Sequence, residues 1–508
     1  MKKTKLKKWI ITILTVWVVG SIIYFIWADN ELQKVLGKST EVVDATSMVT
    51  ELGTVQIKNV NILYEDCSRF IPNQDVVIKD GKILKISQHQ DSIQSNEKTI
   101  DGTDKYLIPG LVDSHAHLKE SKNDLLLYLV NGVTYIREMK GIPIHLEWKK
   151  SLNDNGIGPR MFVTSSSITS ISGIGGYFHE WTRKSINYTN ENDARKAISK
   201  ISEQGYDAIK MYTQVNPEIF KATINIAKEY KIPVLGHIPE VDLETFYTSG
   251  QIEVAHIEEL IKKNMEKFEK SISKNPEEYL QFLSSNANQI AKKINENNIS
   301  VTSTIWLMES LPEQRFELKS KLKEVELKYA NPKIIEGTSL HKLGWLPNEN
   351  SYEYDGKNTP EAKELSLTFW ETYVSAIHIM TKALVANNVT IMAGTDTNVS
   401  PMVAGFSLHN ELESLSKSGL TNQQTLYSAT VAPNEWMKSN SGKIKVGFNS
   451  DLVLLTKNPL KDIKNTKSID HVFFNKYIID NAQITAILKA IEDANNKNRN
   501  VEIEEYVN

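Results

Sequence analysis

The sequence has 508 residues, with 59 basic against 62 acidic side chains and a formal net charge of −3. Its 40% hydrophobic and 24% charged residues are those of a globular chain. They exclude a collagen, a disordered tail and a polytopic membrane protein, and the balanced charge argues against nucleic acid as a partner. The lone cysteine, Cys67, excludes an internal disulfide and any cysteine-based metal site.

Residues 1–8, MKKTKLKK, hold five lysines, and residues 9–28, WIITILTVWVVGSIIYFIWA, carry no charge. A helix of that length rises about 30 Å, enough to cross the hydrocarbon core of a bilayer. The lysines predict a cytoplasmic basic stub and a single-pass anchor, with the rest of the chain on the far side of the cell membrane. The alternative is a cleaved signal peptide and a secreted product. Its apolar region is normally about 7–15 residues, and Ile26-Trp27-Ala28 matches an A-x-A site poorly. Without the five lysines the net charge falls from −3 to −8, so the body is mildly acidic.

Residues 29–51 read as a polar stalk. From 52 to 106, runs such as TVQIKNVNILY and DVVIKDGKILKIS alternate apolar and polar residues between turn signals such as Lys79-Asp80-Gly81. The same texture returns over 436–480. Both ends are therefore expected to build one composite β-domain, a sandwich. Between them, residues 107–435 alternate short apolar strands with helical stretches, the pattern of parallel βα units. Eight strands are expected, at 107–117, 133–138, 160–167, 208–212, 232–238, 252–257, 299–305 and 389–396. The fold class is thus α/β, a (β/α)8 TIM barrel with a composite β-domain and an N-terminal transmembrane helix. Residues 308–365, charged and aromatic with Trp345 and Tyr352, form either a lid or an ordinary helical excursion. Residues 481–508 read as a polar helix that frays.

The chemistry lies at the strand ends. His115 and His117 close the first strand, and residues two apart share a face, so both imidazoles can reach one metal ion. His237 ends the fifth strand, His256 the sixth, Asp396 the eighth and Lys210 the fourth. Each histidine and Asp396 has a structural alternative: His237 can cap a hydrogen bond, His256 can pair with Glu258 or Glu259, and Asp396 can cap a helix. A lysine on a buried strand has no such simple explanation. Barrel active sites sit at the C-terminal rim, where five of eight strands deliver these groups together.

The motifs LVDSHAHL, YDAIKMY, VLGHIPE, VAHIEEL and MAGTDT, in that order, resemble the amidohydrolase superfamily of metal-dependent hydrolases. The flanking IPGLVDSHAH and SDLVLLTKNPL resemble its composite β-domain. GVTYIREM, IGPRMFVTSSSIT and GFSLHNELE resemble its imidazolonepropionase-like and prolidase-like group. The likeness spans about residues 52–480. It implies that His115, His117 and Asp396 hold one divalent metal and His237 and His256 a second, most simply zinc. It implies a CO2-derived carbamate on Lys210 bridging the two, and attack by a hydroxide shared between them. Asp396 would be the general acid–base. Tyr212, on the face of Lys210, would hydrogen-bond the substrate carbonyl or a carboxylate. His179, in GGYFHE after the third strand, is placed to reach substrate. Arg137 and Glu138 are expected to pair with each other.

The expected function is cleavage of a C–N bond in a small amide, cyclic amide or dipeptide, as in an Xaa-Pro dipeptidase. The rivals are a lactone, ester or organophosphate hydrolase on the same site, and a non-catalytic anchored binding protein. The sequence sets neither the substrate nor an oligomeric state.

Overall fold

The computed structural model describes residues 2–90, 98–338, 340, 342–354 and 359–506. Met1 of the basic stub, 355–358 of the insertion and the last two residues of the tail lie outside the described residues.

The N-terminal helix, Lys2–Lys34, carries its apolar stretch as an exposed shaft; Trp9 and Trp17 are each 70% exposed. It is long and apolar enough to cross a membrane. The following segment, read from sequence as a stalk, packs on the body instead. Val35, Thr40 and Ala45 are buried. Glu120 N–H donates to Leu36 O at 2.6 Å, and Asn331 Nδ2 donates to Gly37 O at 3.1 Å. The correction has a simple cause: apolar residues spaced along a polar segment bury themselves when a partner surface is near.

Strands from both ends of the chain share one nine-stranded sheet. Its order is Thr50–Glu51, Tyr477–Asp480, Ile469–Phe474, Leu452–Leu455, Tyr106–Pro109, Thr54–Leu63, Phe70–Lys79 and Lys82–Gln88, with Lys98–Asp101 added beside Thr54–Leu63. Asp80 and Gly81 both take positive φ (48° and 72°), the two-residue turn that matches the twist of a tight hairpin. Ile57, Ile78, Leu107, Leu454 and Phe473 are fully buried and make the sheet's apolar face.

The run 107–117, expected as a single strand, is two strands in two sheets. Tyr106–Pro109 pairs with Leu452–Leu455, whereas Leu111–Ala116 pairs in parallel with Val133–Glu138. The switch takes one residue: Gly110 N–H donates to Asp451 O and Leu111 N–H to Gly132 O. A Cβ on Gly110 would stand 2.0 Å from Thr134 Oγ1, so only glycine fits the crossing.

The central strands are parallel and fall in the predicted places, though shorter: Leu111–Ala116, Val133–Glu138, Arg160–Val163, Ile209–Met211, Val234–Gly236, Glu253–Ala255, Ser300–Thr302 and Ile391–Met392. A short extra pair, Ile168–Thr169 with Ile186–Asn187, was not foreseen. A bridge between Thr164 and Ala208 joins the third strand to the fourth. Ser114 N–H donates to Ala393 O at 2.8 Å, linking the first strand to the end of the eighth. This is a TIM-barrel-like α/β fold. Its helices follow the usual rules: Glu191–Gln204 starts on Asn190, whose side chain accepts the Asp193 N–H, buries Ala194, Ile198 and Ile201, and stops at Gly205.

The insertion forms helices Ile305–Phe316, Leu318–Leu322 and Pro332–Glu336 around a second core that includes Leu322, Ile334 and Trp345. The expected frayed tail joins it. Helix Asn481–Asn498 is followed by Ile503 and Tyr506, both buried in that core.

Candidate metal centre

The strand ends bring together the side chains that sequence spacing had aligned. His117 Nε2 lies 2.9 Å from Asp396 Oδ1, and His115 Nε2 lies 3.4 Å from the same oxygen. The Lys210 Nζ is 3.4 Å from His115 Nε2. Ring centroids of His115 and His256 are 4.4 Å apart, and those of His256 and His237 are 4.9 Å apart. All six groups therefore form one contiguous cluster. The backbone beneath is held in unusual conformations, with φ of 123° at His256 and 61° at Asp396. Such strain persists only where the surroundings impose it. Gly236 precedes His237 at φ 130°, and a Cβ there would meet Met211 O at 2.3 Å.

The donor set suits a divalent metal. His115 Nδ1, His117 Nδ1, His237 Nδ1 and Asp396 Oδ1 are buried and make no well-formed hydrogen bond among the described residues; Asp396, His117 and His237 are held only by ion-pair contacts of 2.9–3.7 Å. Buried polar atoms are rarely left without a well-formed hydrogen bond, and imidazole nitrogens gathered round a carboxylate oxygen are a donor set that suits a cation. His115, His117 and Asp396 can each offer one atom within 4.8 Å of the others.

The electrostatics agree. Burial keeps His115 and His256 neutral, well below the ordinary imidazole range, which is the ligand form. Burial pushes Asp396 upward, but His117, His256 and Lys210 outweigh it and hold the carboxyl ionised. Lys210, 2% exposed, is drawn down by burial to about 8, so a larger share of its amine is neutral near pH 7 than in water.

Several supporting roles escaped the sequence reading, which named Glu259 only as a partner for His256 and Glu138 only as one for Arg137. Glu259 accepts the Ile238 N–H and lies 3.3 Å from His237 Nδ1. Glu138 lies 3.7 Å from His117 Nδ1 and accepts the Leu118 N–H. Thr304 Oγ1 is 2.8 Å from His256 Nδ1. Asp113, fully buried, holds the Thr395 hydroxyl and the His115 N–H. Its signal was available, since Asp113, His115 and His117 alternate on one face.

Two expectations need correction. Arg137 does not pair with Glu138. It reaches across to Glu253, Nη2 to Oε1 at 2.6 Å, because its alternating position points into the strand layer while Glu138 points to the rim. His179 is not at the cluster; its Nδ1 meets Ser185 Oγ at 2.7 Å. Its helix, Ile174–Arg183, offers Thr182 and Arg183 to the cavity instead. Tyr212 does line the cavity, with its ring edge-on to His237 at 4.7 Å.

The cavity above the cluster has a volume of about 510 Å3. Lys119, Lys140, Arg183 and Lys262 line it with Tyr352 from the insertion, and Leu32, Val35 and Leu36 from the N-terminal segment.

Residues 106–476 match the model of the amidohydrolase family. The chain belongs to that family. Among curated relatives, an adenine deaminase of Clostridium perfringens is 27% identical over 241 residues, covering 41% of this chain and 39% of the deaminase. An imidazolonepropionase of Staphylococcus saprophyticus is 39% identical over 179 residues, covering 33% of this chain and 41% of that enzyme. The chain thus spans about two-fifths of the length of these relatives. In fold it is similar to a bottromycin amidohydrolase (TM-score 0.67, 19% identity, 91% of this chain and 96% of that one). It is also similar to an Xaa-Pro dipeptidase with methionine bound in its active site (TM-score 0.58, 16% identity, 84% and 100%).

Proposed function

We propose that the chain is a membrane-anchored hydrolase of carbon–nitrogen bonds acting on a small amide, cyclic amide or dipeptide. The observation that carries this is the cluster of four histidines, Lys210 and Asp396 at one rim, four of whose buried polar atoms make no well-formed hydrogen bond among the described residues. Family membership and relatives named for C–N chemistry support it.

In this reading, residues 107–435 form a barrel closed by the bond from Ser114 N–H to Ala393 O, and the nine-stranded sheet is its composite β-domain. The N-terminal helix spans the bilayer, supported by its exposed apolar shaft and the lysines before it. His115, His117 and Asp396 would hold one divalent ion and His237 and His256 a second, and Lys210, carbamylated by CO2, would add a carboxylate to the set. When bound, such ions supply Lewis acidity and water of lowered pKa. Asp396 stands where it can take a proton from attacking water and return it to the leaving nitrogen. Glu259 and Glu138 orient His237 and His117. The Tyr212 hydroxyl, held protonated by burial, can donate to the substrate carbonyl or carboxylate. Lys140 and Arg183 suit a substrate anion. No chemistry is assigned to His179.

The test is metal analysis and turnover of the full-length protein in detergent. About two divalent ions per chain are expected, lost with activity in His115→Ala. Xaa-Pro dipeptides and N-acyl amino acids should turn over faster than lactones or phosphotriesters. A folded, metal-free protein overturns the reading, and a fast lactonase without amidase activity replaces it.

A further inference from the structure

Helix Ile174–Arg183 presents Ile174 (87% exposed), Tyr177 (76%) and Phe178 (59%) to solvent. Three large apolar side chains on a ten-residue helix are costly in water and need a cover. The position of this helix says what covers it. Trp181 packs on Phe25 of the apolar N-terminal helix at 5.4 Å and on Phe178 at 5.7 Å. Trp181 Nε1 also donates to Asp29 Oδ1 at 3.0 Å. The short helix therefore joins the long one at the end of its uncharged stretch, where a bilayer would give way to water. An amphipathic helix with aromatic residues at that level lies in the lipid interface.

The metal-site cavity opens beside the same junction. Leu32 lines it and lies one helical turn, about 6 Å along the axis, past Ala28. Val35 and Leu36 continue that apolar wall, and Arg183, at the inner end of the interfacial helix, lines the cavity too. An apolar wall running from the membrane shaft towards the cations and the metal cluster matches one kind of molecule.

We propose that helix Ile174–Arg183 rests in the bilayer and admits an amphiphilic substrate: an amide with an anionic head and an apolar chain that partitions into lipid. The proposal rests on the spanning helix and the C–N hydrolase reading, and deepens both. The anionic head meets Arg183 and Lys140. The apolar chain follows the wall of Leu32, Val35 and Leu36 back to the lipid. The polar head alone then reaches the cluster.

The full-length protein is placed in vesicles of phosphatidylcholine and phosphatidylglycerol. Tyr177→Cys is labelled with a nitroxide; Cys67 is buried and its thiol is pushed up to about 12, so it stays unlabelled. The label should sit in the headgroup–acyl boundary, protected from an aqueous relaxant and accessible to oxygen. N-acyl-prolines from acetyl to dodecanoyl are then compared. The dodecanoyl substrate should exceed the acetyl one in kcat/KM by about tenfold or more, and the triple change Ile174→Ser, Tyr177→Ser, Phe178→Ser should remove that advantage while leaving acetyl turnover unchanged. A label in water overturns the proposal. An immersed label with no chain-length preference overturns the substrate route. An immersed label with no turnover of any substrate supports the lipid contact and counts against the hydrolase reading instead.

Discussion

Thr395 holds Asp113 twice: its N–H donates to Oδ1 at 3.1 Å and its hydroxyl to Oδ2 at 2.6 Å. Tyr128 OH adds a bond to Oδ2 at 3.1 Å. Through this carboxylate the strand carrying His115 and His117 is fixed to the segment carrying Asp396. Asp113→Ala takes the acceptor from four buried donors, the Thr395 N–H and hydroxyl, the Tyr128 hydroxyl and the His115 N–H. It should cost about 2–4 kcal/mol in denaturant unfolding and lower metal content. Asp113→Asn, which keeps the shape, should retain more of both. An alanine variant with full metal content and stability would remove this positioning role.

Lys210 is the second case. Lys210→Ala should keep the fold, because it deletes a buried amine that carries no structural ion pair, yet reduce metal retention about 10–100-fold. Added formate or propionate should restore part of it by supplying the missing carboxylate. Metal content by mass spectrometry, with and without the acid, is the measurement. Unchanged retention in the alanine variant excludes a bridging carbamate.

Arg137 and Glu253 are both wholly buried, and Arg137 also lies over the Trp436 ring at 4.3 Å. Removing one partner leaves an uncompensated charge. Arg137→Met alone should destabilise by about 3–5 kcal/mol, and Glu253→Gln with it should recover part of the loss. Thermal melting of the two single variants and the double variant measures the coupling. Strict additivity would show that the pair does not act as a unit.

His409 gives the fold a pH dependence away from the metal site. It is buried between Thr466 Oγ1 and Asn131 O, and burial draws it down to about 3. The unfolded imidazole binds its proton near 6.5, so below that pH the unfolded state takes up a proton that the folded state refuses. Stability is complete above 6.5 and declines as the pH falls, by about 2 kcal/mol from this group at pH 5. His409→Gln should flatten that part of the curve relative to the unmodified protein. An equal slope in both proteins would exclude His409 as the source.

The clustering of these six side chains was legible because each ends an apolar run, and a strand end fixes both face and height. Lys210 was legible as an anomaly: a lysine inside AIKMY has no cheap place to go. The partner of Arg137 was not legible, since Glu253 is 116 residues away in sequence and only the curl of the sheet brings them together. The same holds for the segment around Val35, whose partners include Asn331. The split at Gly110 was hidden because two strands in series read as one alternation. His179 went astray for a local reason: a helix after the third strand rotates its ring to Ser185, and period alone does not fix that rotation.

The nine-stranded sheet has a consequence for biosynthesis. Tyr106–Pro109 waits for Leu452–Leu455, some 340 residues later, before its second edge is paired. At about 5–20 residues per second this is an interval of about 20–70 seconds. Throughout it the N-terminal helix is already made and able to engage the membrane, while the strand edge beside Gly110 stays open. The body therefore completes its folding last, once the strands from both ends of the sheet have been made, and a chain halted late in synthesis exposes a ready edge for aggregation.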